Sequence, residues 1–163
     1  NCRVQIGKSW AAARVVGIDI DAESLATAQQ RIAAAGLSER VEAKRSDLAE
    51  LPAASFDAVV MVEVLHEIGV DIRPQVVRDA ARALKPGGWM VIVDETYPST
   101  LDEARQPEFM FPLHTGFEEL LWGNVIPTRE EQECLLRDAG LIGPIDRSVI
   151  GEGFTVLATK KPE

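Results

Sequence analysis

The hydrophobic positions of the chain fall into short continuous runs that are separated by stretches with a different period. Val- and Ile-rich runs at residues 14–20, 56–65 and 89–95 predict buried strands, of which the run at 56–65 is the most apolar. Residues 41–47 predict another strand, the second along the chain. Four strands are therefore expected before the C-terminal third of the chain.

Between these runs the apolar residues recur at helical spacing, as Leu25, Ala28 and Ile32 do, and the ends of each segment carry start and stop signals. The start signals are a capping aspartate, a proline in the first turn and a Thr-x-x-Glu capping box, and the stop signals are glycines. Three helices are predicted, from Asp21 to Gly36, from Pro74 to the Lys-Pro-Gly-Gly sequence at 85–88, and from Thr128 to Gly140.

The end of the chain predicts a β-hairpin. Residues 144–150 and 154–161 are strand-like and are separated by the Gly-Glu-Gly sequence at 151–153, which suits a tight turn. Residues 96–127 are less regular and contain four prolines together with many aromatic and aliphatic side chains. We expect this segment to be a lid over an apolar substrate; a helix packed on the sheet or a dimer contact is the open alternative.

Strands that alternate with helices predict an α/β fold, in which a doubly wound, mostly parallel sheet carries helices on both faces and ends in an antiparallel hairpin. We expect residues 1–163 to form a single domain. In such sheets the carboxyl ends of the strands meet at one edge, where ligands bind. The polar side chains that follow the apolar runs at this edge are Asp19, Asp47, His66, Glu67 and Glu95.

The composition narrows the classes of partner. The chain has 163 residues and a net charge of -9, which disfavours contact with a phosphate backbone, so no nucleic-acid partner is expected. No apolar run reaches the roughly 18 residues of a membrane span, and no signal peptide is recognisable. Cys2 and Cys134 form neither a metal motif nor a disulfide framework, so we expect reduced thiols, a cytoplasmic protein and no metal site.

Four stretches of the sequence resemble the class I (Rossmann-like) S-adenosylmethionine-dependent methyltransferases. They read VVGIDIDAESLATAQQRI at 15–32, RSDLAELPAASFDAVVMVEVLHE at 45–67, ARALKPGGWMVIVDE at 81–95 and GFTVLATKKP at 153–162. The resemblance implies S-adenosylmethionine as cofactor, with one residue set for the ribose and adenine and another near the methionine end. These residues are Asp19, Ile20, Asp47 and Leu48 for the nucleoside, and Glu63 and Val64 for the methionine end.

The resemblance also implies a role for His66. Small-molecule O-methyltransferases of this family place a His-Asp pair after the same strand, and LHEIGVD is similar, with Glu67 in place of Asp. His66 would then be the general base for a hydroxyl acceptor, and Glu95 would be the acid that orients it. The alternative is a structural or substrate-packing histidine. Glu63, inside an apolar run, is expected to need a ligand or a partner if buried, and His114 is expected to be an exposed loop residue.

The glycine-rich loop of the family is absent from this chain, which has only Gly7 in residues 1–10 and no initiator Met. We favour a chain that begins inside that loop and runs into the first helix; a shortened substitute strand in the same residues is the alternative. The family's missing first strand is central, so its two neighbours would lose their pairing partner. The chain is therefore expected to be an N-terminally truncated domain.

Two short motifs are rejected and two other functions stay open. A zinc-protease motif would require a second His where Val70 stands, and a phosphate loop would require Gly where Cys2 stands. An acid after the strand at 14–20 also suits a nicotinamide-dependent oxidoreductase. A truncated, non-catalytic interaction domain is the third interpretation. A homodimer is compatible with the sequence, which does not identify the methyl acceptor.

Overall fold

The computed structural model describes residues 2–151 and 153–163. The chain divides into two compact units, one ending at Leu51 and the other comprising Pro52–Glu163, and each is described by itself. Among the described residues no helix is long and apolar enough to cross a membrane.

The N-terminal unit contains two helices and two parallel strands. Its elements are α1 (Cys2–Ser9), β1 (Val15–Asp19), α2 (Ala22–Ala34), β2 (Val41–Arg45) and a 3-10 turn at Leu48–Glu50. The strands pair in parallel, with Asp19 opposite Arg45, so their carboxyl ends lie side by side. Residues 2–9 form a helix rather than a substitute strand, and Asn1 lies outside the described residues.

Helix α2 follows the sequence signals closely. The Asp21 carboxylate accepts a hydrogen bond from the backbone N–H of Ser24 at 2.7 Å and so caps the first turn. Gly36 adopts a left-handed conformation (φ 67°) directly after the helix. The apolar face of α2 packs on β2 and α1, in a core that consists of Val4, Leu25, Ala28, Ile32, Leu37, Val41 and Ala43.

The C-terminal unit holds a four-stranded sheet in the order β3-β4-β6-β5. Its elements are β3 (Phe56–Val62), α3 (Arg73–Ala83), β4 (Leu84–Asp94), 3-10 turns at Glu103–Arg105 and Pro107–Phe109, α4 (Met110–Trp122), α5 (Arg129–Asp138), β5 (Ile145–Ile150) and β6 (Phe154–Lys160). Strands β3 and β4 are parallel, whereas β6 is antiparallel to both β4 and β5. The predicted C-terminal antiparallel hairpin is therefore confirmed, although Glu152 in its turn lies outside the described residues.

Two boundaries differ from the sequence prediction. Strand β4 begins at Leu84 rather than at residue 89, because the chain pairs with β3 immediately after α3 and then passes through an irregular register. The irregular 96–127 segment contains a regular helix, α4, that its prolines concealed, since Pro112 lies in the first turn, where a missing N–H is tolerated. Among the described residues the strands form two hydrogen-bonded sheets, one in the order β1-β2 and the other in the order β3-β4-β6-β5.

Candidate active site

The carboxyl ends of β3 and β4 bring His66 and Asp94 together in the C-terminal unit. His66 lies in the turn that follows β3 and is 5% exposed, while Asp94 is the last residue of β4 and has no exposed surface. The Nδ1 atom of His66 is hydrogen-bonded to a carboxylate oxygen of Asp94. Adjacent parallel strands thus deliver an imidazole and a carboxylate to one buried point.

The Asp94 carboxylate also organises the backbone around the histidine. Its Oδ2 accepts the N–H of Leu65 at 2.7 Å and, more weakly, the N–H of His66 at 3.4 Å. Its Oδ1 accepts the N–H of Glu95 at 2.8 Å in addition to the imidazole. A buried carboxylate requires such partners, and here they fix the turn that carries His66.

The carboxylate that orients His66 is therefore Asp94 and not Glu95, which corrects the sequence prediction by one residue. Glu95 is also buried, but its Oε2 accepts a hydrogen bond from the hydroxyl of Thr115 on α4 at 2.8 Å. Its backbone carbonyl accepts from the side chain of Gln132 on α5 at 3.1 Å. Glu95 acts on His66 through its charge rather than through a hydrogen bond.

Helix α4 supplies a second carboxylate to the histidine. The Oε2 atom of Glu119 lies 3.9 Å from Nε2 of His66, on the side of the ring opposite to Asp94. Sequence analysis did not find this residue, because nothing in the 96–127 segment indicates which side of α4 faces the sheet. The other predicted histidine, His114, is exposed on α4.

Burial and charge oppose each other at this cluster. Burial of the ring lowers the pKa of His66, but the hydrogen bond and charge of Asp94 and the charges of Glu119 and Glu95 outweigh it, so the pKa lies above its ordinary value of 6.5. Burial raises the pKa of Glu95, and the charges of Glu119 and Asp94 add to this, against the Thr115 hydrogen bond and the His66 charge. The cluster therefore favours a protonated imidazole.

A buried arginine holds the turn after β3 in place. Arg73, at the start of α3, is 4% exposed, and its guanidinium donates to the carbonyl of Ile68 at 2.9 Å and to that of Val125 at 2.7 Å. The same group lies 3.5 Å from the carbonyl of His66. Arg73 thus links the histidine turn to the chain that precedes α5.

The residues predicted to contact the methionine end are both exposed. Glu63 follows β3 with a left-handed backbone (φ 51°), an uncommon conformation for a residue other than glycine. Glu63 is exposed because β3 ends one residue earlier, at Val62, so it does not need the partner that a buried carboxylate would require. Val64 and Glu67 are exposed beside it.

In the N-terminal unit, Asp19 and Ile20 lie where β1 ends. The Asp19 carboxylate accepts the N–H of Asp21 at 3.1 Å and lies 3.6 Å from the guanidinium of Arg3, yet a third of the side chain remains exposed. Ile20 is 78% exposed. A carboxylate and an uncovered isoleucine at one strand end are groups that a nucleoside can use.

Asp47 follows β2, and its structural role is also clear. Its carboxylate accepts the N–H of Ala49 at 3.1 Å, and Glu50 completes a capping box on the Leu48–Glu50 turn. Asp47 is exposed and Leu48 is half-buried. The capping role does not use all the acceptor capacity of a carboxylate. Asp19 and Asp47 thus offer carboxylate acceptors at two neighbouring strand ends, and Ile20 offers an exposed apolar side chain.

Residues 3–92, more than half of the chain, match the family model described as a methyltransferase domain. The chain is 35% identical over 109 residues to the methyltransferase GfsG of Streptomyces halstedii, with 63% of this chain and 38% of that protein covered. It is 39% identical over 130 residues to 27-O-demethylrifamycin SV methyltransferase of Amycolatopsis mediterranei (strain S699), with 78% of this chain and 45% of that protein covered.

The fold is also found among solved structures. The S-adenosylmethionine-dependent methyltransferase SibL in its apo form aligns with a TM-score of 0.78 at 21% identity, over 98% of this chain and 47% of that chain. This likeness confirms the predicted fold class. The chain spans less than half the length of the two curated relatives. The family match does not support the nicotinamide-dependent alternative. The chain belongs to the class I S-adenosylmethionine-dependent methyltransferase family.

Proposed function

We propose that this protein transfers a methyl group from S-adenosylmethionine to a hydroxyl group of a small molecule, with His66 as the general base. The observation that carries the proposal is the buried pair formed by His66 and Asp94 at the ends of β3 and β4. A histidine that served only to fill space would not need a fully buried carboxylate on its ring nitrogen, because burying that charge is costly.

The pair also selects the nitrogen that does the chemistry. An ionised carboxylate only accepts hydrogen bonds, so the Nδ1 atom of His66 carries a hydrogen when it contacts Asp94. In the neutral ring this leaves the lone pair on Nε2. Nε2 then takes the proton of the acceptor hydroxyl while the hydroxyl oxygen forms its bond to the methyl carbon. Asp94 stabilises the resulting imidazolium without itself taking the proton.

The cofactor, when bound, supplies a methyl group on a positively charged sulfur that leaves as a neutral thioether. The residues proposed to hold it are the predicted ones: Asp19 for the ribose hydroxyls, Ile20 for the adenine face, and Asp47 with Leu48 for the adenine edge. Their exposure at the strand ends supports these roles. Glu63 and Val64 remain proposed for the methionine end.

An oxygen acceptor has support from one relative. The protein from Amycolatopsis mediterranei is named for a substrate that lacks a methyl group at an oxygen, 27-O-demethylrifamycin SV. The exposed apolar side chains of α4, among them Phe117 and Leu121, are compatible with a lid over an apolar acceptor. A homodimer contact through the same helix remains the alternative.

The test of the base compares two histidine variants. Methyl transfer from labelled S-adenosylmethionine is measured with hydroxylated small molecules, beginning with 27-O-demethylrifamycin SV. We expect His66→Gln to lose about 10² to 10⁴ in kcat, the typical contribution of a general base. His114→Gln is the matched control, since His114 is exposed on α4. A loss below about tenfold in His66→Gln would remove the base role.

The test of the cofactor site is calorimetry with S-adenosylhomocysteine, on the 163-residue chain and on the chain extended upstream. Asp19→Asn removes a charged acceptor, and we expect binding to weaken by about 10- to 100-fold. Glu42→Gln is the control, because Glu42 is an exposed carboxylate on the neighbouring strand β2. If neither length of chain binds S-adenosylhomocysteine, the non-catalytic interpretation is favoured and the proposed function fails.

A further inference from the structure

Helix α4 has two faces of opposite character. Its inner face carries Thr115, Gly116 and Glu119, which lie within one turn of one another. Thr115 bonds to Glu95, and Gly116 leaves space for the ring of Tyr97, which a Cβ atom at this position would strike. The outer face is exposed and carries His114, Glu118 and five large apolar side chains, which are Met110, Leu113, Phe117, Leu120 and Leu121.

Glu119 is held firmly at the end of this inner face. Its Oε2 accepts a hydrogen bond from the side-chain amide of Asn124 at 2.7 Å. Its backbone carbonyl accepts the N–H of Asn124 at 2.9 Å, in a helix end closed by Gly123 with φ 87°. The side chain is only 14% exposed. A carboxylate fixed in this way has a defined position relative to the sheet.

That position faces the nitrogen with which His66 is proposed to act. Glu119 Oε2 is 3.9 Å from Nε2, while Asp94 binds Nδ1. A neutral ring with its hydrogen on Nδ1 would turn a lone pair toward the Glu119 carboxylate, which is unfavourable. A ring protonated at both nitrogens meets a carboxylate on each side, and both contacts are favourable at this distance.

We propose that Glu119 is a positioning residue that keeps a proton on Nε2 of His66 until an acceptor hydroxyl displaces the Glu119 carboxylate from that nitrogen. This inference rests on the proposed function of His66. When the hydroxyl replaces Glu119 as the neighbour of Nε2, the ring releases that proton to solvent. It then takes the hydroxyl proton as the carbon–oxygen bond forms and the carbon–sulfur bond breaks, the bonding pair passing to sulfur. The ring ends as the imidazolium, again facing Glu119.

The consequence is that α4 belongs to the catalytic site and does more than cover it. The same helix that would enclose the acceptor shifts the charge state of the base, so the empty site favours the protonated, inactive form. The charged groups next to the ring come from three elements and the chain after β4, and they are Asp94, Glu95, Arg73 and Glu119. Tyr97 interacts with Glu95 and Glu119.

The test uses the small number of histidines. The chain has two, so in a His114→Gln background the only imidazole signal in the NMR spectrum is that of His66. Titration of this signal gives the pKa directly, without an acceptor or cofactor. Glu119→Gln removes the charge but keeps an oxygen for the Asn124 amide, and we expect the pKa of His66 to fall by about one unit, as for loss of an opposite charge within 4–6 Å.

Matched variants distinguish the effect of the Glu119 charge on the pKa of His66 from the effect of the protein's overall negative charge. Glu118→Gln makes the same charge change at the next residue of α4, where the side chain is exposed, and is expected to leave the pKa of His66 unchanged. Glu119→Asp retains the charge but places it farther from His66, because the side chain is one methylene shorter. The pKa of His66 is expected to fall less than in Glu119→Gln. Urea midpoints of all variants establish that they are folded.

The outcomes distinguish this inference from the function on which it rests. An unchanged His66 pKa in folded Glu119→Gln overturns the inference, and so does an equal fall in Glu118→Gln. A specific fall in Glu119→Gln supports it, and the acid limb of the kcat/KM profile should then move to lower pH by the same amount. If the pKa falls but His66→Gln retains full turnover, Glu119 still controls the ring and the base assignment is what fails.

Discussion

Replacement of Asp94 by Asn tests the geometry of the site most directly. The two side chains have nearly the same shape, but the amide offers one acceptor oxygen and one NH₂ group where the carboxylate offers two acceptors. In the native protein all the partners of Asp94 donate to it. Oδ1 accepts from the N–H of Glu95 and from the ring of His66, and Oδ2 accepts from the N–H groups of Leu65 and His66.

The amide has two orientations, and each leaves a backbone donor without an acceptor. With its NH₂ at the Oδ2 position it opposes the N–H groups of Leu65 and His66, whose native distances are 2.7 and 3.4 Å. With its NH₂ at the Oδ1 position it opposes only the N–H of Glu95. In the second orientation the NH₂ can donate to Nδ1 of His66, which moves the ring hydrogen to Nε2. We expect this orientation, because fewer donors lose their acceptor.

The expected loss of stability follows from the number of donors that lose their acceptor. One buried N–H without a partner costs about 1–3 kcal/mol, and the lost charge-assisted bond to His66 adds about 1.5–3 kcal/mol where the ring is protonated. The free energy of unfolding should fall by at least the first amount. Catalysis should fall by about 10² to 10⁴, since Nε2 then carries a hydrogen and has no lone pair for the acceptor.

Urea unfolding of Asp94→Asn measures the first effect, with Asp57→Asn as control. Asp57 is an exposed carboxylate that pairs with Lys85, so its replacement should change stability little. Long-range nitrogen–proton NMR spectra identify the tautomer of His66 in the variant. A wild-type urea midpoint with an unchanged slope, or a neutral ring still protonated at Nδ1, would refute the reasoning.

Three further variants test the surroundings of the pair. Gly116→Ala would raise stability by up to about 1 kcal/mol at an ordinary helix position, but a collision with Tyr97 should lower it by about 1–3 kcal/mol, and a urea midpoint above wild type would contradict this packing. Arg73→Lys keeps the charge but loses the forked donor, and its urea midpoint should report a loss of about 1–3 kcal/mol. Because burial raises the pKa of Glu95 above 4.5, the native state binds more protons than the unfolded state. The stability of wild type relative to Glu95→Gln should therefore fall as pH rises from 4.5 through the native pKa, and a rise in urea titrations over that range would reverse the sign of the argument.

The fold was largely predictable from the sequence because its local signals agree with one another. The cap at Asp21, the capping box at Thr128 and the apolar runs each indicate one element, and the structure forms these elements where they were expected. The exceptions are places where tertiary pairing decides. Residues 84–88 look like a helix stop, but β3 offers a hydrogen-bonding edge that starts β4 there. Helix α4 lacked a clear period because its outer face is as apolar as a buried one.

Some residues of the site were predictable from the sequence, but the contacts between them were not. Parallel strands bring their carboxyl ends together, and this rule selected His66 after β3 and Glu95 after β4, but not Asp94. No sequence pattern indicates Glu119, because its contact with His66 depends on how α4 packs on the sheet. The sequence left open whether Glu63 is buried, and the structure answers this because β3 ends one residue before Glu63 and the side chain is exposed.

The choice between Asp94 and Glu95 depends on the alternation of side chains along β4. Asp94 lies on the same face of β4 as Met90 and Ile92, and all three side chains are fully buried. Val91 and Val93 lie on the opposite face and are only half-buried. If one face of the strand were polar, the sequence would show which alternate residues face inward, and Asp94 would be assigned to the inner face. A central strand is apolar on both faces, so its sequence does not show which alternate residues face the turn after β3 until the neighbouring elements are known. The residue that orients His66 is therefore determined by which side of β4 receives the turn from β3, and a one-residue shift of that strand would exchange the roles of the two acids.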